Sequence, residues 1–163
     1  MARFGKDACQ KRDPGMKEIA RSSAGFDDDE DAILTVARCF FHNFAMPDSQ
    51  SWMAGFDLAD AAFGDTQGPV VGARVFAALR AVRLSRRSVF CFNSPCCPCC
   101  AEVVSEHERR FMRALQAVRR GHPGAVHTEL MMLCEGNDTA HVVTALDHLS
   151  SCLPEPAVAL CDA

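Results

Sequence analysis

Four cysteines occupy five consecutive positions in the segment Ser94-Pro95-Cys96-Cys97-Pro98-Cys99-Cys100, which we call the cysteine elbow. Two Cys-x-x-Cys spacings overlap in it, Cys96 with Cys99 and Cys97 with Cys100. Two thiolates three residues apart on a tight turn can point at one ion. Core packing gives no reason to crowd four thiols together, because cysteine packs as an ordinary small apolar residue. We therefore expect the elbow to bind a metal ion or to exchange electrons.

The second of these spacings, Cys97-Pro98-Cys99-Cys100, resembles the knuckle of zinc ribbons and rubredoxin-like sites. It departs from that pattern at Ala101, where those knuckles usually place glycine. The resemblance covers about six residues, implies metal–thiolate coordination, and indicates no particular family.

A tetrahedral zinc site takes four ligands, so further ligands are expected from other parts of the chain. If the later helices run antiparallel, they return other thiol and imidazole groups toward the elbow. A further histidine follows the elbow on the predicted central helix. The predicted zinc ligands are therefore drawn from Cys96, Cys97, Cys99, Cys100, Cys91, Cys134, His141 and His107. Two alternatives stay open, a redox-active thiol sensor and an iron–sulfur cluster, which normally takes four thiolates.

Catalytic signatures are missing from the sequence. It contains no G-x-S-x-G, no phosphate-binding glycine loop, no dinucleotide fingerprint and no H-E-x-x-H. Its histidines and acids follow no pattern that would assemble a nucleophile, a base and an anion site. The sequence therefore favours an interaction or regulatory role over an enzyme.

The charge distribution is uneven. Between residues 74 and 120 there are ten arginines and three glutamates, whereas the chain after Arg120 has six acids and no lysine or arginine. Such asymmetry predicts complementary surfaces within the fold, in self-association or with an acidic protein partner. The alternative is nucleic-acid binding through the arginine-rich helices. The arginines concerned are Arg80, Arg83, Arg86, Arg87, Arg109, Arg110 and Arg113.

Apolar periodicity predicts an all-α irregular bundle of about five to six helices, with the elbow before a long central helix. That helix is expected to run from the cysteines to Arg120, with Val104 facing inward. An earlier helix is expected to end at Gly64, before a loop over 65–68. We predict a flexible charged arm over 1–30, a helical domain over 31–154 and a loose tail over 155–163.

Compartment is predicted from cysteine usage and apolar runs. The first residues, Met1-Ala-Arg-Phe-Gly-Lys-Asp, lack the apolar stretch of a secretory signal. No run reaches the roughly 18 apolar residues of a membrane span. We therefore expect a cytoplasmic protein that makes no membrane contact, in which clustered cysteines bind metal or act in redox chemistry.

Overall fold

The computed structural model describes residues 17–156, and most of these residues are helical. A two-residue antiparallel ladder, with Ile19 opposite Val104, is the sheet in this part of the chain. The all-α irregular bundle is therefore confirmed. Residues 1–16 of the predicted arm and 157–163 of the predicted tail lie outside the described residues. Besides two 3-10 helices, Arg21–Ser23 and Pro47–Ser49, the elements are β1 Ile19–Ala20, α1 Asp28–Ala45, α2 Ser51–Ser85, α3 Pro98–Ala101, β2 Val103–Val104, α4 Glu106–Arg119, α5 Pro123–Leu133 and α6 Ala140–Ser150.

Helix α1 begins at a reciprocal cap. The Asp27 carboxylate accepts from the Glu30 N–H, and the Glu30 carboxylate accepts from the Asp27 N–H. Both bonds satisfy amides that have no partner inside the helix. Further along, Ile33 and Phe40 are fully buried, which is the inward face that their spacing predicts. The cap fixes where α1 begins, and the apolar face is the side that packs into the core.

Helix α2 is two antiparallel arms joined at Gly64, whose φ of 81° interrupts the helical backbone. The arms approach closely, because a Cβ at Gly68 would lie 2.4 Å from the Cα atom of Asp60. A Cβ at Gly72 would likewise lie 2.8 Å from the ring of Phe56. The predicted loop over 65–68 is wrong: a single residue makes the reversal, and the helix resumes directly after Gly64.

The elbow precedes the long central helix α4, but that helix does not begin at the cysteines. Helix α3 ends after one turn, and Val103 and Val104 then form β2 against β1. Helix α4 begins at Glu106, where the Ser105 hydroxyl accepts from the Glu108 N–H and the Glu108 carboxylate accepts from the Ser105 N–H. The inward position of Val104 is therefore a strand position, favoured by two consecutive β-branched residues.

One continuous apolar core joins these elements. Helix α1 packs against α2, α4 packs against α5, and α6 packs against both α2 and α4. The core includes Phe40, Leu79, Phe111, Leu130 and Leu146, all with 1 % or less of their surface exposed. Among residues 17–156, no helix combines the length and the apolar character that crossing a bilayer requires.

Candidate metal centre

Three thiols of the cysteine elbow meet on the single turn of α3. Cys97 is the N-cap of this turn, and Pro98 takes the first helical position, where its missing N–H costs nothing. The Cys97 carbonyl accepts from the Cys100 and Ala101 amides at 3.0 and 3.1 Å, which closes the turn. The sulfur atoms of Cys97, Cys99 and Cys100 all lie within 4.8 Å of one another.

These distances suit a metal ion with little rearrangement. A tetrahedral zinc site with Zn–S bonds of about 2.3 Å places neighbouring sulfurs about 3.8 Å apart. The Sγ atoms of Cys97 and Cys99 are 2.9 Å apart, and no pair in the group exceeds 4.8 Å. Each sulfur therefore needs to move by about an ångström or less. Among residues 17–156, no other group of three histidine, cysteine or acidic residues comes together in this way.

Arg38, a buried residue of α1, contacts the backbone of the turn that carries the thiols. Its guanidinium donates to the Val103 carbonyl at 2.6 Å and approaches the Cys100 and Ala101 carbonyls at 3.4 and 3.3 Å. A single side chain therefore contacts both α3 and β2. The carbonyls at the end of a helical turn lack partners inside the turn, and Arg38 adds a cationic donor to carbonyls that also accept from the Glu102 N–H and from Arg21.

Arg38 is paired with Glu108, which is fully buried. The two side chains form a bidentate ion pair, with N–O distances of 2.8 and 3.1 Å. The same carboxylate accepts from the Asn93 backbone N–H and Asn93 side-chain amide, both at 3.0 Å, and from the Ser105 N–H at 2.8 Å. With every carboxylate lone pair engaged, the pair fixes α1, α4 and the segment before the elbow relative to one another.

Sequence reasoning missed both members of this pair. Arg38 is the charged residue inside an otherwise apolar run from Val36 to Phe41, and that position was the available signal. Glu108 occupies the last position of the Ser105-x-x-Glu108 pattern, which predicts a cap. Neither pattern predicts that the two residues meet, since they are 70 positions apart in the sequence.

The remaining elbow cysteine, Cys96, is exposed and lies outside the three-thiol group. It neighbours the buried Cys39 thiol of α1. Burial, and to a smaller extent the nearby Cys96 thiolate, raises the pKa of Cys39 to about 11. Cys39 therefore stays protonated at neutral pH, and a thiol in that state is a poor ligand and a poor nucleophile.

The candidates Cys91 and His107 contact each other. The Cys91 N–H donates to Nδ1 of His107 at 2.9 Å, and the Cys91 carbonyl accepts from the Ser105 hydroxyl at 2.8 Å. The Arg86 guanidinium lies 3.2 Å from Nε2 of His107. Burial, followed by the Arg86 charge, lowers the pKa of His107, so the ring is neutral at pH 7. His107 therefore anchors the 86–97 segment through Nδ1, and its other nitrogen faces a cation.

The last two candidates lie elsewhere. Cys134 is fully buried at the end of α5, where burial raises the pKa of its thiol and a hydrogen bond with Ser85 opposes that rise. His141 is exposed at the start of α6 and lines a cavity with Arg80 and Asp138. Neither belongs to the three-thiol group.

Several arginines of the basic middle segment pair with this chain's own acids. Arg86 contacts Glu135 at 3.3 Å, and Arg110 contacts Glu106 at 2.8 Å and Glu129 at 3.2 Å. Arg113 reaches the same Glu129 at 4.0 Å. Arg119, in the same segment, pairs with Asp27, Asp29 and Glu30 near the start of α1. Part of the charge asymmetry is therefore used inside the fold.

The fold and the site together define a helical bundle with a thiol-rich turn that could hold a metal ion. Comparison with known protein families, curated proteins and solved structures found no match for this chain.

Proposed function

We propose that this protein is a metal-stabilised interaction module, in which zinc is bound by the thiolates of Cys97, Cys99 and Cys100. The observation that carries the proposal is the meeting of three sulfur atoms within 4.8 Å on one turn. Thiolates favour zinc and copper(I) among the biological metals. Zinc is preferred because a tetrahedral site can take three protein sulfurs and leave one position open.

The open position is the reason for proposing an interaction role. Cys99 is exposed and Cys97 is half-buried, so the fourth side of the ion would face solvent. If zinc were bound by these three cysteines, water would occupy this position in the isolated protein, and a side chain of a second protein would replace it in a complex. The proposed partner is a protein whose acidic surface complements the remaining basic groups of residues 74–120.

An iron–sulfur cluster is a weaker proposal than zinc. Such a cluster normally takes four thiolates, and within residues 17–156 three thiols come together. A redox dithiol is the second candidate, supported by the 2.9 Å distance between the sulfurs of Cys97 and Cys99. Oxidation of these two thiols by a peroxide or a disulfide would remove two protons and two electrons and form one S–S bond.

The test is elemental analysis of protein purified without added metal, together with its absorption spectrum. We expect one zinc per chain and no visible colour. Serine substitutions at Cys97, Cys99 or Cys100 should each lower the zinc content. Cys152→Ser is the matched control, because Cys152 is partly exposed and lies outside the thiol group. It should retain zinc.

The same preparations distinguish the alternatives. A coloured protein with stoichiometric iron would show that the site holds an iron–sulfur cluster and not zinc. A metal-free, folded protein would contradict the metal proposal. If that protein also gains one disulfide on mild oxidation, and Cys97→Ser prevents it, the redox reading is correct. If its thiols stay unchanged under oxidation as well, both readings are wrong.

A further inference from the structure

A second candidate site lies beside residues 87–92 and shares no residue with the thiol turn. It is a cavity of about 360 Å³ between the end of α1, the end of α2 and residues of the segment that follows α2. Its volume falls in the range of roughly 300–1,000 Å³ that is typical of small-molecule sites. We call it the aromatic cavity. Its aromatic lining consists of Phe41, Phe44, Phe90 and Phe92.

The rings that line the aromatic cavity are held by one another. Phe90 stacks on Phe41 with centroids 4.1 Å apart, and Phe92 lies on the same ring at 5.6 Å. Phe44 contacts Phe76 at 5.3 Å. Because stacked rings restrict each other's rotation, the apolar wall is formed before any ligand arrives. Val89, 82 % exposed, forms an apolar edge beside the opening.

Three arginines line the same cavity, and no acidic residue does. The guanidinium of Arg83 lies 5.1 Å from the centroid of the Phe44 ring, and Arg87 is exposed beside it. Arg86 is almost completely buried, and its Nε hydrogen has no acceptor among the described residues. The Arg86 guanidinium already donates to the Leu133 carbonyl and pairs with Glu135, so Arg83 and Arg87 are the arginines that a bound anion would reach.

We propose that the aromatic cavity binds an amphipathic carboxylate, with its apolar body among the phenylalanines and its carboxylate at the arginines. The cavity has no amide or carboxylate side chain that would read the edge of a nucleobase. Its one hydroxyl, on Ser88, is already bonded to Glu135. The recognition elements present are therefore an apolar wall and positive charge, which together select an anion with an apolar body.

The test uses isothermal titration calorimetry with decanoate and 2-naphthoate, and with decanol and 2-naphthalenemethanol as matched uncharged probes. Both carboxylates should bind more tightly than their alcohols. Arg83→Gln should weaken carboxylate binding about ten- to a hundredfold, the usual effect of losing a charged hydrogen-bond partner. Arg80→Gln, on the same helix but outside the cavity, is the control and should bind like the native protein.

Each other outcome overturns the proposal. Absence of carboxylate binding at about 1 mM, the weak limit of specific affinity, means that there is no such site. Equal affinity for acids and alcohols means that the arginines do not select the ligand. An equal loss in Arg80→Gln means that the effect is general electrostatics. Tighter binding of adenosine monophosphate than of either carboxylate would identify a nucleotide site instead. The result does not depend on zinc, because the probes meet no thiol ligand.

Discussion

Replacing Arg38 by methionine tests whether the buried ion pair holds the thiol turn in place. Methionine keeps much of the side-chain volume and removes the charge, so it leaves Glu108 fully buried without its cation. It also removes the shorter of two side-chain hydrogen bonds to the Val103 carbonyl, the other being donated by the Asn93 amide at 3.3 Å. Breaking a buried pair by removing one partner costs about 3–5 kcal/mol. That is a large part of the roughly 5–15 kcal/mol that stabilises a typical domain.

The assay is urea denaturation followed by circular dichroism at 25 °C, with Arg110→Met as the control. Arg110 forms a partly exposed pair with Glu106 at 2.8 Å, and such pairs contribute about 0–1 kcal/mol. The double variant Arg38→Met with Glu108→Leu should recover part of the loss, because no buried charge then remains. If Arg38→Met loses no more stability than Arg110→Met, the ion pair is not what fixes the turn.

Three further predictions concern the arms of α2, the thiols and the arginines. Gly68→Ala should lower the free energy of unfolding by about 1–3 kcal/mol, because the new Cβ overpacks against the facing arm of α2. Gly124→Ala is the control and should raise that free energy by about 0.4–1 kcal/mol, because there is open space at its Cβ. Equal effects of the two substitutions in urea denaturation would contradict the close approach of the arms. In iodoacetamide labelling read by mass spectrometry, exposed Cys96 should react before buried Cys39. The rate at Cys39 should rise with pH toward its pKa of about 11, because the thiolate is the reacting form; early labelling of Cys39 at pH 7 would show that it is not buried. On a heparin column the protein should elute below physiological salt, because four of the ten arginines between residues 74 and 120 pair with internal acids. Retention above physiological salt, with a steep dependence on salt concentration, would instead support nucleic-acid binding.

The helices of this fold follow from local sequence, and the connections between them do not. Apolar spacing predicted the buried face of α1, with Ile33 and Phe40, because burial of one helix face leaves a periodic record. The sequence signal for the chain reversal at Gly64 was weaker. Glycine there indicated an end, but the close approach of Gly68 to the opposite arm depends on packing between residues far from the turn.

The candidate site shows the same division. The four crowded cysteines predicted where thiols would meet, because their spacing is local to one turn. The support of that turn was not predictable, since Arg38 and Glu108 come together only when α1 and α4 pack. The extension of the central helix back to the cysteines failed for a similar reason: Val104 has an apolar inward position in either a helix or a strand, and only its pairing with Ile19 decides between them.

Because the thiol turn depends on Arg38, the cysteine segment needs the rest of the fold to keep its geometry. A synthetic peptide covering the cysteines would carry the sulfurs without the guanidinium that orders their backbone, so it should bind metal with poorer geometry than the whole protein. Conversely, a metal ion that brings the three sulfurs closer together would shift the backbone of the turn, whose Cys100 and Ala101 carbonyls contact the buried Arg38. Metal binding at the thiol turn would then be measurable as a change in the free energy of unfolding of the entire domain.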